Sequence, residues 1–396
     1  MDFRPVGVGN ALRRLITRTL FAPFVSDFNA VTAPMQYGCG EKAGGTKMYF
    51  SIAIHLEANP THAVLAVDLS NAYNEAKRAD ILRALWEHPT FRPLWNYCYN
   101  ILLPKSSIGM GSGTNLTDAS FLSEEGLQQG AIESSGLFCL VIHAANKKTN
   151  ARLSREGGAL SGGYDDTYMA GPAETLLDAL QPHQDSLKSV GLTLNRSKSK
   201  IFIPDGMRTT NLLHRCQQHN IEEGSIKLNS TTSARGILTY GIPLGQPSFV
   251  AKALDDIATR LETEGDTIRH HLDPHRHPQP HIPCRQAGLL ILRKCLQHQG
   301  NYWTRHIHPK QTESFAKRID QRTVDIFSLA TTIDIASESS LVQERIQLPT
   351  KSKGVGIRRL EKQRYSDFMG GSCKQSLFSP TQNRVKAAAS AKAGYN

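Results

Sequence analysis

The sequence predicts an α+β protein, with a mixed domain over roughly the first two-thirds of the chain and a mostly helical region after it. Two observations lead to this prediction. Short strand-like runs alternate with helical patterns in the first part, and from about Ser248 onward helical patterns replace the strands. The length of 396 residues exceeds what one hydrophobic core ordinarily supports, so we expect two or three domains.

Composition narrows the class of protein. The 46 Lys and Arg residues outnumber the 35 Asp and Glu residues, for a formal net charge of +11. This charge fits either attraction to a polyanion or simply a basic surface. The chain has no apolar run near the roughly 20 residues that cross a bilayer, which excludes a membrane-spanning role. Its 7 Cys are scattered without C-x-x-C spacing, which favours a reducing, intracellular compartment over a disulfide framework.

The first elements are a helix and a buried strand. Arg4-Pro5 indicates an extended segment that leads into a helix over Ala11–Phe21. The alternative is that the Arg-rich, acid-poor N-terminus is a mitochondrial transit peptide. The continuous apolar run Ala63–Val67 is typical of a strand buried on both faces, and it ends at Asp68. Apolar residues at helical spacing follow over Ala79–Glu87.

The middle of the chain places further acids in a turn. The polar, Gly-bounded segment Glu124–Gly130 is predicted to be a loop that enters a buried helix over Leu137–Ala145. The run Ala159–Ala170 predicts a hairpin with Asp165 and Asp166 at its tip. After it we expect a helix kinked at Pro182 and two short strands: Pro172–Val190, then Leu192–Leu194 and Ile201–Ile203.

The helical region begins near residue 248. Helices are predicted over Val250–Leu261, Gln286–Gln297 and Thr312–Leu329. The linker Arg269–Cys284 is rich in Pro and His, and a domain boundary is expected there or slightly earlier. Zinc binding is one interpretation of the candidate ligands in this linker, and a loop insertion is the other: His270, His271, His275, His277, His281 and Cys284. Gly371–Asn396 is expected to be poorly ordered.

Asp68, Asp165 and Asp166 all lie at strand ends. Acidic residues in turns are often simply exposed to solvent. One interpretation of these three residues is therefore that they are solvated and have no function. Two divalent cations about 3.5–4 Å apart need carboxylates from different segments, and in return they assist phosphoryl transfer. Magnesium suits such a site because it takes one or two carboxylates together with phosphate oxygens and water. Asp68 and Asp165 on neighbouring strands would supply that geometry.

Five segments appear in an order that resembles the motifs of reverse transcriptases, and those of non-LTR retrotransposons in particular: Val67–Tyr73, Gly126–Gly130, Tyr164–Asp166, Gly191–Ser199 and Gly241–Gly245. Each segment alone is weak, but order and spacing are independent tests. Arg4-Pro5-Val6, Gln36-Tyr37-Gly38 and Ile346–Gly356 extend the resemblance over nearly the whole chain.

The resemblance implies a right-hand polymerase fold with an antiparallel palm sheet. Its expected parts are partial fingers over 1–62, a palm over 63–247 with an interleaved fingers segment near 88–125, a helical thumb-like region over 248–335, a C-terminal extension over 336–370 and a tail over 371–396. The implied activity is RNA-directed DNA synthesis from deoxynucleoside triphosphates, with an RNA template and a DNA or RNA primer. Two Mg²⁺ ions are the implied cofactor, with Mn²⁺ as an alternative. The resemblance also implies a nuclear location.

By the same resemblance, metal ligands are Asp68, Asp165 and Asp166 together with the Leu69 carbonyl. Lys198 is the implied general acid that protonates the leaving pyrophosphate. Taken without the resemblance, Lys198 is an ordinary solvated lysine.

The resemblance also assigns contacts to the substrate and the primer. Arg4 would hold the triphosphate, and Gln129 and Gly130 would form the floor of the nucleotide pocket. Tyr73 would exclude ribonucleotides by a clash with the 2′-hydroxyl, although it also fits a core aromatic residue. Gly241 and Gly245 resemble the primer-grip turn, where missing side chains would let backbone approach the primer end. Their alternative is a plain hairpin.

Several positions depart from the family pattern. Gly163 stands where a Tyr is usual, and Ile132, Ser134 and Ser135, with Glu133 between them, replace the usual Pro and Ser-Pro after Gly130. The chain also begins at the fingers motif, so the preceding strand with its triphosphate-binding Lys is expected to be missing. Two hypotheses therefore stand, a working polymerase and a truncated, non-catalytic nucleic-acid-binding remnant. An RNA-templated RNA polymerase shares the palm acids, but Tyr73 and the segment Gly191–Lys198 point away from it.

Overall fold

The computed structural model describes residues 9–112, 115–272, 282–335 and 337–376. The chain packs as two compact units, Met1–Gly224 and Ser225–Asn396. Within the described ranges, no helix is both long enough and apolar enough to cross a membrane.

Helices in the first unit surround its strands. The α-helices are α1 Ala11–Phe21, α2 Val25–Thr32, α3 Gly44–Ala58, α4 Ala72–Glu75, α5 Arg78–Glu87, α6 Arg92–Leu102, α7 Ser134–Ser154, α8 Ala173–Lys188 and α9 Thr210–Gln218. Short 3-10 helices lie at Ala22–Phe24, Pro89–Phe91 and Asp205–Met207. The strands are β1 Ala63–Val67, β2 Ser106–Ser112, β3 Asn115–Ser123, β4 Ala159–Gly163, β5 Asp166–Gly171, β6 Lys200–Phe202 and β7 Glu222–Glu223.

The main sheet of the first unit has the order β4-β5-β1-β6-β7 in the part of the chain that is described, and β2 and β3 form a separate hairpin. The β1 strand is central and pairs antiparallel with β5 and with β6. Among the strands described for this sheet, β6 and β7 pair in parallel over a short stretch. The predicted antiparallel sheet is therefore confirmed.

The core of this unit explains why β1 is so apolar. Ala63, Val64 and Leu65 are fully buried, as expected for a central strand covered on both faces. Leu137 and Phe138 of α7 and Leu176 of α8 are fully buried in the same cluster. The run that the sequence predicted as a buried helix is thus part of the 21-residue helix α7.

The second unit contains a small sheet and a set of helices. Its strands are β8 Ser225–Lys227, β9 Ser233–Thr239 and β10 Ile242–Gly245, in the order β10-β9-β8. Its α-helices are α10 Pro247–Leu272, α11 Ile282–Lys294, α12 Asn301–His306, α13 Glu313–Thr331, α14 Ser340–Gln347 and α15 Leu360–Ser376, and its 3-10 helices are Leu296–His298 and Thr350–Ser352. The predicted change to helices near residue 248 is confirmed.

A buried arginine ties the second unit together. Arg322 of α13 is 1% exposed. Its guanidinium donates to the carbonyls of Leu261 and Leu296 and to Oε1 of Gln299, at 2.5, 2.7 and 2.9 Å. Because a buried charge without partners is costly, these bonds fix where the three segments meet.

Two local expectations were wrong. Leu192–Leu194 is not a strand, because Leu194 makes only an isolated bridge to Leu69. Residues 371–376, expected to be poorly ordered, form the end of α15, while 377–396 lie outside the described residues. The predicted boundary between the palm and the thumb-like region at residue 248 stays a prediction. The observed packing divides the chain after Gly224.

Candidate active site

The register of the main sheet brings the three acids to one edge. Strands β1 and β5 pair up to Val67 opposite Thr167. The next residue beyond this pair is Asp68 on one strand and Asp166 on the other. Asp68 and Asp166 are thus the first residues beyond the last pair of this ladder, at the same end of the two strands. The tip of the hairpin between β4 and β5 is formed by Tyr164 and Asp165, so the prediction that Asp166 also lies at the tip was wrong: Asp166 is the first residue of β5, paired with Gly163.

These acids offer oxygen ligands of the kind that Mg²⁺ prefers. Asp68 and Asp165 are half-buried and Asp166 is exposed. Among the described residues, no three His, Cys, Asp or Glu side chains are grouped so that they could hold a metal ion. Mg²⁺ does not need such a cage, because it is usually held by one or two carboxylates with substrate phosphates and water. The donor chemistry therefore fits Mg²⁺.

The backbone of Asp68 is fixed by the loop that carries Lys198. The Asp68 N–H donates to Oγ of Ser199 at 3.0 Å, and the Asp68 carbonyl accepts from the Asn195 N–H at 2.8 Å. Ser199 is buried, and its hydroxyl also donates to the Asn195 carbonyl at 2.8 Å. The loop between Asn195 and Ser199 is thereby held against Asp68. Lys198 lies in this loop with its side chain exposed.

Tyr73 lies on the neighbouring helix α4 with one face of its ring covered. The ring stacks on Phe138, with centroids 4.5 Å apart and planes 18° apart. Burial raises the pKa of the Tyr73 phenol above its ordinary value, and the negative charge of Asp165 adds a smaller effect in the same direction. Tyr73 is therefore neutral. Half-buried packing of this kind fits both interpretations of Tyr73, the steric gate and the core aromatic residue.

The loop with Gln129 and Gly130 is attached to α4. The Leu127 N–H donates to the Tyr73 carbonyl at 2.6 Å. Gly126 has φ +73°, and a Cβ there would lie only 2.2 Å from the Asn74 carbonyl oxygen, so only glycine allows this approach. Gln129 is half-buried and Gly130 is exposed. The loop that carries both predicted pocket residues is thus bonded to the helix that carries Tyr73.

The unusual residues after this loop are well packed. Glu133 is 2% exposed and pairs with Arg13 of α1 at 2.8 Å. Ser134 is also buried, and its hydroxyl donates to the Gln128 carbonyl at 2.8 Å. Gly163 is buried at the end of β4 opposite Asp166. The departures at Glu133 and Ser134 are therefore accommodated by specific contacts rather than by disorder.

The predicted primer grip is a tight hairpin in the second unit. Tyr240 and Gly241 join β9 to β10 with φ of +53° and +77°. The Tyr302 hydroxyl donates to the Tyr240 carbonyl at 2.7 Å, and Nε1 of Trp303 donates to the Gly241 carbonyl at 3.1 Å. A Cβ on Gly241 would meet nothing within 4 Å, whereas one on Gly245 would lie 2.4 Å from Cα of Gly236. Strand packing therefore explains Gly245, and turn geometry explains Gly241.

Two predicted site features fall partly or wholly outside the described residues. Arg4 is one of them. In the His-rich linker, His270 and His271 lie at the end of α10 with ring centroids 5.7 Å apart. The other linker histidines and the Cys284 side chain are outside, so the zinc interpretation stays a prediction.

Comparison with known proteins decides the family. The family model described as reverse transcriptase (RNA-dependent DNA polymerase) matches residues 2–232, more than half of the chain. The chain belongs to the reverse transcriptase family. This assignment confirms the family that the ordered motifs indicated.

Relatives of this reverse transcriptase are distant. It is 21% identical over 200 residues to the retrotransposable element SLACS 132 kDa protein of Trypanosoma brucei gambiense, covering 50% of this chain and 16% of that protein. A retrotransposable-element relative agrees with the non-LTR resemblance of the motifs. The chain spans only about a sixth of that relative's length.

Solved structures similar to this reverse transcriptase include two polymerases. Apo telomerase from Candida tropicalis is 10% identical with a TM-score of 0.41, over 96% of this chain and 60% of that chain. The RNA-dependent RNA polymerase of a human picobirnavirus is 12% identical with a TM-score of 0.37, over 89% of this chain and 58% of that chain. TM-scores below 0.5 do not establish a shared fold. The family assignment therefore rests on the match to the family model, and the fold class rests on the antiparallel sheet.

Sequence reasoning missed the residues that support the candidate site in the first unit and the Tyr240–Gly241 turn in the second. Ser199 and Asn195 position Asp68, and Tyr302 and Trp303 hold the turn at Tyr240 and Gly241. The family motifs included Asn195 and Ser199 but gave them no role, and no sequence pattern marked Tyr302 or Trp303. Their partners are backbone atoms, which leave no signature in residue type.

Proposed function

We propose that this chain is an RNA-directed DNA polymerase that adds deoxynucleotides to a primer 3′-hydroxyl. The observation that carries the proposal is the edge of the main sheet where Asp68, hydrogen-bonded through its backbone to the loop of Lys198, lies at the same end of the paired strands β1 and β5 as the turn that contains Asp165. Membership of the reverse transcriptase family supports nucleotidyl transfer as the reaction.

In this proposal Asp68 and Asp165, with the Leu69 carbonyl, hold two Mg²⁺ ions, and Mn²⁺ is the alternative. Bound there, such ions would activate the 3′-hydroxyl and stabilise the leaving phosphate oxygens. Asp166 adds negative charge to the edge. Lys198, exposed in the loop fixed to Asp68, protonates the leaving pyrophosphate.

The other residues bind and select the substrate. Tyr73 lies beneath the sugar and clashes with a 2′-hydroxyl, while Gln129 and Gly130 form the floor of the pocket and Arg4 contacts the triphosphate. The net charge of +11 supports an RNA template and a DNA or RNA primer as partners, because phosphate contacts by Lys and Arg dominate affinity for nucleic acids. A retrotransposable element is the proposed source.

A second function is a nucleic-acid-binding remnant without catalysis. Gly163 favours it, because a glycine replaces a side chain directly beside the turn of Asp165. The packed Glu133 and Ser134 oppose it, because a decayed sequence has no reason to satisfy a buried carboxylate.

Primer extension on an RNA template tests the proposal. The full chain should extend a labelled primer with deoxynucleotides in Mg²⁺, and Asp165→Asn, which keeps the size of the side chain and removes its charge, should not. Binding of the primer–template by both proteins, with no extension by either, would support the remnant. Extension with ribonucleotides in preference to deoxynucleotides would support an RNA polymerase.

A further inference from the structure

The turn between β4 and β5 contains a backbone conformation that neighbouring groups must stabilise. Tyr164 and Asp165 form the two-residue turn between β4 and β5, and Tyr164 has φ +62°. A non-glycine residue in the left-handed region is uncommon and persists only where its surroundings hold it.

The side chain of Gln36 contacts both backbone polar groups of Tyr164. Its Oε1 accepts from the Tyr164 N–H at 2.7 Å, and its Nε2 donates to the Tyr164 carbonyl at 3.1 Å. Oε1 also accepts from the Gly38 N–H at 3.1 Å. Gln36 is 3% exposed, so these bonds are formed away from bulk water. The Tyr164 carbonyl belongs to the peptide group that carries the Asp165 nitrogen.

The backbone around Gln36 is itself fixed to strand β4. The Gly162 N–H donates to the Met35 carbonyl, and the Tyr37 N–H donates to the Gly162 carbonyl, each at 2.7 Å. Gln36 therefore forms a parallel bridge with Gly162. The peptide groups on either side of Gln36 are therefore both bonded to Gly162, which lies two positions before Tyr164. Because the backbone of Gln36 is fixed in this way, its side-chain amide is held in one position relative to Tyr164.

Gly38 permits this close approach. A Cβ at Gly38 would lie 2.7 Å from the Tyr164 nitrogen and 2.8 Å from its ring, distances that real Cβ atoms do not adopt. The segment from Gln36 to Gly38 is thus shaped to lie against the turn.

We propose that Gln36 is a positioning residue for polymerisation, which holds the Tyr164–Asp165 turn through its buried amide and so sets where the Asp165 carboxylate lies. This inference rests on the proposed function of Asp165. Gln36 contacts no reacting atom in this role. Misplacing a reacting group by about 1 Å can cost about a hundredfold in rate, which sets the size of the expected effect.

The test compares Gln36→Met with Gln297→Met. Methionine keeps the length of the side chain and removes all of its hydrogen bonds. Gln297 is a matched control because it is 7% exposed and also makes three bonds to backbone groups, those of Arg293, Gly356 and Arg358, at 2.7, 3.1 and 2.9 Å. Both variants should lose similar stability, but only Gln36→Met should change the turn.

Two readouts separate this proposal from the proposed function. In single-nucleotide incorporation, Gln36→Met should lower kcat about a hundredfold with an unchanged Kd for primer–template, while Gln297→Met stays within about twofold of wild type. In hydrogen exchange, peptides covering 162–166 should exchange about tenfold faster in Gln36→Met only. The exchange readout needs no activity, so it still tests the positioning role if the wild-type chain extends no primer.

Equal losses of incorporation in the two variants, or unchanged exchange over 162–166 in Gln36→Met, would overturn the proposal. If Gln36→Met fails to fold, Gln36→Glu provides the same test, because it keeps the Oε1 acceptor and removes the Nε2 donor. At least a tenfold loss of kcat is then expected, and wild-type kcat in Gln36→Glu would overturn the proposal.

Discussion

Two hairpin turns, one in each unit, are built around a tyrosine with positive φ, but they are held by different means. In the first unit, Tyr164 is held by the buried amide of Gln36, which lies 128 residues away in sequence. In the second unit, Tyr240 and Gly241 are held by the half-buried aromatic side chains of Tyr302 and Trp303.

The two turns differ in how strongly their conformation depends on the side chains that bond to them. Removing one partner of a buried hydrogen bond leaves the other unsatisfied and costs about 1–3 kcal/mol, whereas a group near the surface finds water instead. The turn at Asp165 should therefore be sensitive to its support. The turn at Gly241 should be tolerant.

Adding a methyl group at one glycine beside each turn gives the largest expected contrast. Gly38→Ala forces a Cβ against the Tyr164 nitrogen, so the turn must move and incorporation should fall about a hundredfold. Gly241→Ala meets no atom within 4 Å and adds only the strain of positive φ, about 1 kcal/mol. Single-turnover incorporation and thermal melting measure the two effects. If Gly241→Ala lowered the melting temperature more than Gly38→Ala, the comparison would be wrong.

Tyr73→Ala sharpens the comparison by testing whether the first turn faces the nucleotide. Removing the Tyr73 ring should raise incorporation of ribonucleotides relative to deoxynucleotides by about tenfold or more, because the steric block is the ring itself. The ratio of kcat/KM for the two substrates is the measurement. Tyr73→Phe is the control, since it keeps the ring and should keep the ratio. An unchanged ratio in Tyr73→Ala would show that this residue is only a core aromatic.

Tyr302→Phe should have the smallest effect. It removes one hydrogen bond to the Tyr240 carbonyl in a half-exposed turn, worth about 0.5–1.5 kcal/mol, and keeps the ring. Melting of the full chain should show a slight loss of stability, with incorporation within about twofold of wild type. A hundredfold loss of incorporation would mean that the second turn is as sensitive as the first.

Much of this architecture follows from residue type and periodicity. The apolar run of β1, the helix Ala11–Phe21 and the hairpin at Asp165 are all found at or near their predicted positions, because hydrophobic patterning and turn propensity are properties of the local sequence. Leu192–Leu194 failed as a strand because a run of three residues, Leu-Thr-Leu, does not determine whether a neighbouring strand is available for pairing.

The supports of the candidate site could not be predicted. Gln36 belongs to a segment that resembles the family, but nothing in its residue type indicates that it bonds to Tyr164 across 128 positions. Ser199 gives no signal either, because its partner is the backbone N–H of Asp68. Contacts from a side chain to distant backbone depend on the folded path of the chain, which local patterns do not encode.

The central claim, that the edge of the sheet at Asp68 is a polymerase site, is tested most directly by Asp68→Ala. Incorporation of one deoxynucleotide in Mg²⁺ and binding of the same RNA–primer duplex are measured in parallel with wild type. The account predicts that incorporation is lost and that the Kd stays within about twofold, since affinity comes from phosphate contacts by Lys and Arg. Incorporation by Asp68→Ala at the wild-type rate would contradict it.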